Sequence, residues 1–140
     1  MDTIFIKSHR AGMNYAKPHF FVLNKGLNSG KPHHEAYTNS FVLIFQTEEQ
    51  KEDVYWIAMS LWKSKFWHQY LRGSVIPFLS LYEFKKEFNP RTTRMMREHE
   101  QHLKNIKALK LLQEQENHFN KNLHLINELK NAIMMRYRNK

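Results

Sequence analysis

The chain has no cysteine among its 140 residues. That excludes disulfides, thiolate zinc sites, iron–sulfur clusters and cysteine nucleophiles, and it suits a reducing compartment. Long hydrophobic runs are missing too: the longest, Phe41-Val42-Leu43-Ile44-Phe45, falls far short of the roughly 20 residues that span a bilayer. Asp2, Lys7, His9 and Arg10 leave no apolar signal region at the start, so secretion is disfavoured and a cytoplasmic location is expected. There is no low-complexity tract and no repeat of solenoid length. Acidic residues are in short supply, 13 against 22 Lys and Arg, for a net charge of +9 with the nine histidines neutral. A pI near 9.8 points to an anionic partner such as nucleic acid, a ribonucleoprotein or an acidic protein face.

With 41% hydrophobic and 14% aromatic residues, the chain has enough apolar material for one core. All four Gly, three of the four Pro and all three Trp lie before residue 89, which predicts a compact α+β module over 1–88 and a basic helical segment over 89–140. Segments 3–7, 19–24 and 40–46, rich in Phe, Ile and Val, read as strands of a small antiparallel sheet, with 24–37 as a polar loop. Thr47 followed by Glu48 and Glu49 marks a helix start, and Val54, Ile57, Ala58, Leu61 and Trp62 recur at helical spacing to about residue 64. A further helical turn is expected at 66–71 and an extended piece at 75–78. Ser80 to Glu83 has capping-box spacing for a short helix ending near Phe88. Asn89-Pro90 then reads as a fresh helix start, with no breaker before Lys140.

In that last segment Leu112, Phe119, Ile126 and Ile133 are seven apart, with Leu109, Leu123 and Tyr137 at the companion position; Glu116 and Lys130 interrupt the companion series. The seam must be covered. The expectation is a monomer, with the helix packed on the module or folded into a hairpin around 114–122, for which the polar stretch 113–117 offers a bend, and a homodimer through 105–140 as the alternative.

Candidate chemistry is sparse. Loop 26–32, G-L-N-S-G-K-P, has its glycines one residue too close for a nucleotide-binding loop, and Pro32 stands where Ser or Thr would hold magnesium. Lys25 and Lys31 could still offer cations and free amides to a phosphate. The histidines, including His33, His34, His99, His102, His118 and His124, form no recognised ligand spacing, so neither metal nor cofactor is expected. No serine sits in a nucleophile elbow, and the chain is read as non-enzymatic, although two imidazoles and a lysine assembled by the fold would suffice for RNA cleavage. Trp56, Trp62, Phe66, Trp67 and Tyr70 have the spacing of a core rather than of a base-stacking platform. Arg91, Arg94 and Arg97, then Lys104, Lys107 and Lys110, repeat every three residues and predict a stripe for phosphate contact.

The run 17–32, K-P-H-F-F-V-L-N-K-G-L-N-S-G-K-P, with Trp56, Leu61-Trp62 and the block G-S-V-I-P-F at 73–78, resembles a family of small uncharacterised proteins carried on bacterial mobile elements. The chain also resembles anti-CRISPR inhibitors of a type VI-B RNA-guided ribonuclease. That resemblance implies a stoichiometric inhibitor that binds the CRISPR effector ribonucleoprotein or its guide RNA, with no catalytic residues to carry over. A more distant architectural similarity is to half of a type I restriction specificity subunit, where a recognition module ends in an I-P segment, here Ile76-Pro77, and a long helix follows. It implies DNA binding by a dimer.

Overall fold

The computed structural model describes residues 4–139; the expected strand residue Thr3 and helix residue Lys140 lie outside this range. Four strands, β1 (Phe5–Ser8), β2 (His19–Leu23), β3 (Pro32–His33) and β4 (Ser40–Ile44), form one antiparallel sheet in the order β1-β4-β2-β3. The fold is α+β. The register sets Ile6 and Phe20 opposite Leu43 and Val22 opposite Phe41, so these five side chains share the face that enters the main core. Phe21 and Val42 pair on the opposite face and are buried as well. The central strands are therefore apolar on both sides, which is why they read as continuous runs rather than alternations. β3 lies within the expected polar loop. It is an edge strand, where the missing N–H of Pro32 costs the ladder little.

Helix α1 (Glu48–Lys63) starts where Thr47 Oγ1 accepts from the Gln50 amide at 3.1 Å, and it buries Val54, Ile57 and Ala58. A 3-10 helix, Phe66–Tyr70, delivers Trp67 into the core. Helix α2 (Leu81–Arg97) is capped by Ser80 Oγ, which accepts from the Glu83 amide. The Glu83 carboxylate pairs instead with Arg72 at 3.0 Å.

The expected helix start at Asn89-Pro90 is not there: α2 runs straight through Pro90. Phe84, Phe88 and Thr92 bury one face while Asn89 and Pro90 are exposed, so the backbone bond lost at the Lys86 carbonyl is on the wet side. A mid-helix proline costs about 3 kcal/mol, and burying two Phe side chains recovers about 3–6 kcal/mol. Arg91, Thr92 and Thr93 add side-chain bonds to the carbonyls of Glu87, Phe88 and Asn89 at 2.9–3.0 Å. The actual interruption is Glu98, after which α3 (His99–Arg138) begins. His102, buried just beyond the break, donates Nε2–H to the Asp53 carbonyl at 2.9 Å and ties the start of α3 to α1. Two compact units result, Met1–His102 and Leu103–Lys140, so the division falls later than the expected boundary after Phe88. α3 is one continuous helix without a turn at 113–122, which removes the hairpin.

Candidate nucleic-acid interface

Loop 24–32 is built by backbone bonds to its own surroundings. The Gly26 amide donates to Pro77, Ser29 to Gly26, Gly30 to Leu23 and Lys31 to Asn28, at 2.7–3.2 Å. The Leu79 amide donates to Asn24, and Lys25 bridges Phe78, so the N-K-G-L-N-S-G-K-P and G-S-V-I-P-F blocks zip together. These four amides are already engaged, which corrects the expectation of free loop amides for phosphate. Gly26 and Gly30 both take positive φ, +92° and +98°. At Gly30 a Cβ would overlap the Trp67 indole. The loop therefore rests on a core tryptophan whose buried N–H finds no hydrogen-bond partner among the described residues.

The loop lysines have separate neighbours. Lys25 is exposed and lines a groove of about 420 Å³ with Tyr37, Asn39 and Ile76. Lys31 places Nζ 4.9 Å from the ring centroid of Trp62, and Lys63 reaches the same ring at 5.4 Å. Spacing had assigned all five aromatics of 56–70 to the core, and packing divides them. Trp67 is 1% exposed, Phe66 and Tyr70 pack against the core, and Trp56 and Trp62 are left half-buried, Trp62 with two cations at its ring.

The cationic stripe is also divided. Arg91 donates to the Glu87 carboxylate at 3.0 Å and lies 4.1 Å over the Phe66 ring, so its charge and planar face are both occupied. Arg94 and Arg97 are exposed at the end of α2 and make no ion pair among the described residues. Lys104, Lys107 and Lys110 are exposed on α3. The helix break at Glu98 interrupts the three-residue phase between the two sets, so the six do not form one continuous helical stripe. The unit Leu103–Lys140 holds eight basic and three acidic residues.

Histidine placement could not be read from spacing. His33 tilts against Tyr37 at 4.3 Å, while His34 stacks on Tyr55 at 4.4 Å. Desolvation, helped by Lys31 and His34, lowers the His33 pKa below its ordinary 6.5. Desolvation and Lys51 likewise lower that of His34, against the opposing pull of Glu48 and Glu52. His34 also lines a groove of about 330 Å³ with His19, Tyr15, Lys17, Glu48 and Lys51. On the second face of the sheet, Tyr15 lies between His9 and His19, at 5.6 and 5.3 Å, and its hydroxyl bonds His9 Nδ1 at 2.8 Å. Of the other histidines, His99 is exposed and His102 is committed to Asp53. Among the described residues no group of three or more potential ligands is placed to hold a metal ion.

Leu112, Phe119, Ile126 and Ile133 are each more than half exposed, and every residue from Leu111 to Asn139 is exposed. No helix among the described residues is long and apolar enough to cross a membrane.

Residues 6–136 match the model of a family of unknown function, DUF6943, and the chain belongs to that family. The match crosses the boundary at His102, so both units are parts of what defines the family. No curated protein and no solved structure matches the chain.

Proposed function

We propose that this DUF6943 protein is a non-enzymatic RNA-binding inhibitor or modulator, one that engages an RNA-guided CRISPR nuclease, its guide RNA, or both. The observation that carries the reading is Trp62, a partly buried indole with the ammonium groups of Lys31 and Lys63 at its ring. Single-stranded RNA is bound by this combination, an aromatic face for a splayed base and cations for the flanking phosphates. Arg94 and Arg97 supply further charge with no ion pair among the described residues, and the resemblance to type VI-B inhibitors supplies the class of target. A DNA-binding role as half of a specificity subunit is the second reading, favoured by the long uncovered helix α3.

The test is fluorescence anisotropy with single-stranded RNA, guide RNA and duplex DNA over a series of salt concentrations. Trp62→Ala should weaken RNA binding by about 1–3 kcal/mol, the worth of one stacked base. Arg94→Glu with Arg97→Glu should lower the log–log salt slope by about 0.7 for each lost contact to single-stranded RNA. Unchanged affinity in all these variants removes the reading, and a preference for duplex DNA transfers support to the specificity-subunit alternative. Titration of the effector should show a break at a fixed ratio; progressive loss of activity with trace protein would identify an enzyme, and His19 and His34 would be its first residues to replace.

A further inference from the structure

We propose that α3 pairs with α3 of a second copy of this chain, in antiparallel orientation, about a two-fold axis between His124 and Leu125. The two series of the seam behave as heptad positions, with Leu109, Glu116, Leu123, Lys130 and Tyr137 in one and Leu112, Phe119, Ile126 and Ile133 in the other. From residue 111 onward every member is exposed, and Leu112, Phe119, Leu123, Ile126, Ile133 and Tyr137 are all more than half exposed. An isolated helix gains too little from propensity to hold such a face in water, and a coiled-coil partner covers it.

The choice of partner rests on the two charges that interrupt the seam. Glu116 and Lys130 lie seven residues to either side of Leu123, and they are opposite in sign. A parallel pair in register would set Glu116 against Glu116 and Lys130 against Lys130, two like-charge layers in the core of the interface. The antiparallel pair sets Leu123 opposite Ile126, Leu112 opposite Tyr137, Glu116 opposite Ile133 and Phe119 opposite Lys130. Residues of the first series then alternate between the two helices along one side of the interface. Glu116 of one copy and Lys130 of the other fall in adjacent layers, about three residues or 4.5 Å apart along the axis. The two-fold repeats the contact, so both interrupting charges are compensated without a third component. A different helix could cover the apolar positions, but a second copy supplies the complementary charges at the required spacing. The proposal concerns α3 alone and does not depend on which nucleic acid the protein binds.

The native chain has no cysteine, so introduced thiols are clean probes. Full-length Leu112→Cys and Tyr137→Cys chains, mixed and oxidised, should give a cross-linked heterodimer, while Leu112→Cys alone should not cross-link. Sedimentation velocity should show a concentration-dependent dimer. Glu116→Lys should raise its dissociation constant at least tenfold, and the swap Glu116→Lys with Lys130→Glu should restore most of the loss. Phe119→Asp with Ile126→Asp should give a monomer whose thermal unfolding, followed by tryptophan fluorescence, still reports an intact Met1–His102 unit. A chain that stays monomeric at every concentration overturns the proposal. Cross-linking of Leu112→Cys with itself would establish a parallel pair and overturn the orientation, as would a charge swap that restores nothing.

Discussion

Gly30→Ala probes a place where loop and core meet too closely for a side chain. Gly30 has φ +98°, and an added Cβ overlaps the indole of the buried Trp67. Gly26, four residues earlier in the same loop, has nearly the same φ of +92° and nothing within 4 Å of its added Cβ. Forcing an L-residue to positive φ costs about 1–2 kcal/mol, and the entropic gain from replacing glycine in the unfolded chain is the same in both variants. What differs is the clash. Overpacking a closed core costs about 1–3 kcal/mol, and Trp67 has little room to yield because Phe66, Tyr70 and Phe84 surround it at 5.0–6.2 Å. Gly26→Ala should therefore lose about 1 kcal/mol, and Gly30→Ala about 2–4 kcal/mol. For a chain of this size each kcal/mol moves the melting temperature by roughly 4 °C. Urea unfolding followed by tryptophan fluorescence measures both losses. In a Trp67→Leu background, which makes room at the loop, the excess cost of Gly30→Ala should disappear. Equal losses for the two glycine variants, or an excess that survives in that background, would refute the account.

Further expectations concern buried contacts and charge. Arg91→Ala should lower stability by about 0.5–1.5 kcal/mol through loss of the Glu87 pair and the Phe66 contact while leaving RNA affinity nearly unchanged; Arg94→Glu should do the reverse, and a large affinity loss in Arg91→Ala would show its guanidinium to be available after all. His102→Ala should cost about 1–3 kcal/mol, because the Asp53 carbonyl loses a buried donor, and His102→Gln should recover part of it in the same unfolding assay. The lowered pKa values of His33 and His34 mean that the unfolded chain binds these protons more tightly than the folded one. Their contribution is complete above the unfolded value of 6.5 and is lost as pH falls below it. The drop in urea midpoint between pH 7.5 and 5.0 should accordingly be smaller in His33→Gln with His34→Gln than in the native chain.

Much of the local structure is legible because its causes are local. Thr47 and Ser80 cap their helices with their own side chains, runs of Phe, Val and Ile become strands, and Gly26 and Gly30 take the positive φ that a tight loop requires. The seven-residue spacing of Leu112, Phe119, Ile126 and Ile133 likewise belongs to the sequence, since a continuous helix turns it into a seam whatever surrounds it. The net positive charge is legible on the same footing.

Tertiary structure decided what depends on which surface is buried. Helix α2 passes through Pro90 because Phe84 and Phe88 turn the proline toward solvent, and a sequence motif for a helix start cannot know which way it faces. The break at Glu98 has no glycine or proline to announce it, and the helix resumes where His102 reaches Asp53, 49 residues away. Trp62 and Trp67 look alike in the sequence. Trp67 drops into the core against Gly30, and Trp62 stays only partly buried beside Lys31 and Lys63. Arg91 shares its spacing with Arg94 and Arg97, yet only Arg91 finds Glu87 and Phe66 within reach. In each case periodicity names the side chains on a face, and long-range packing determines which of them keep their charge or ring available to a partner.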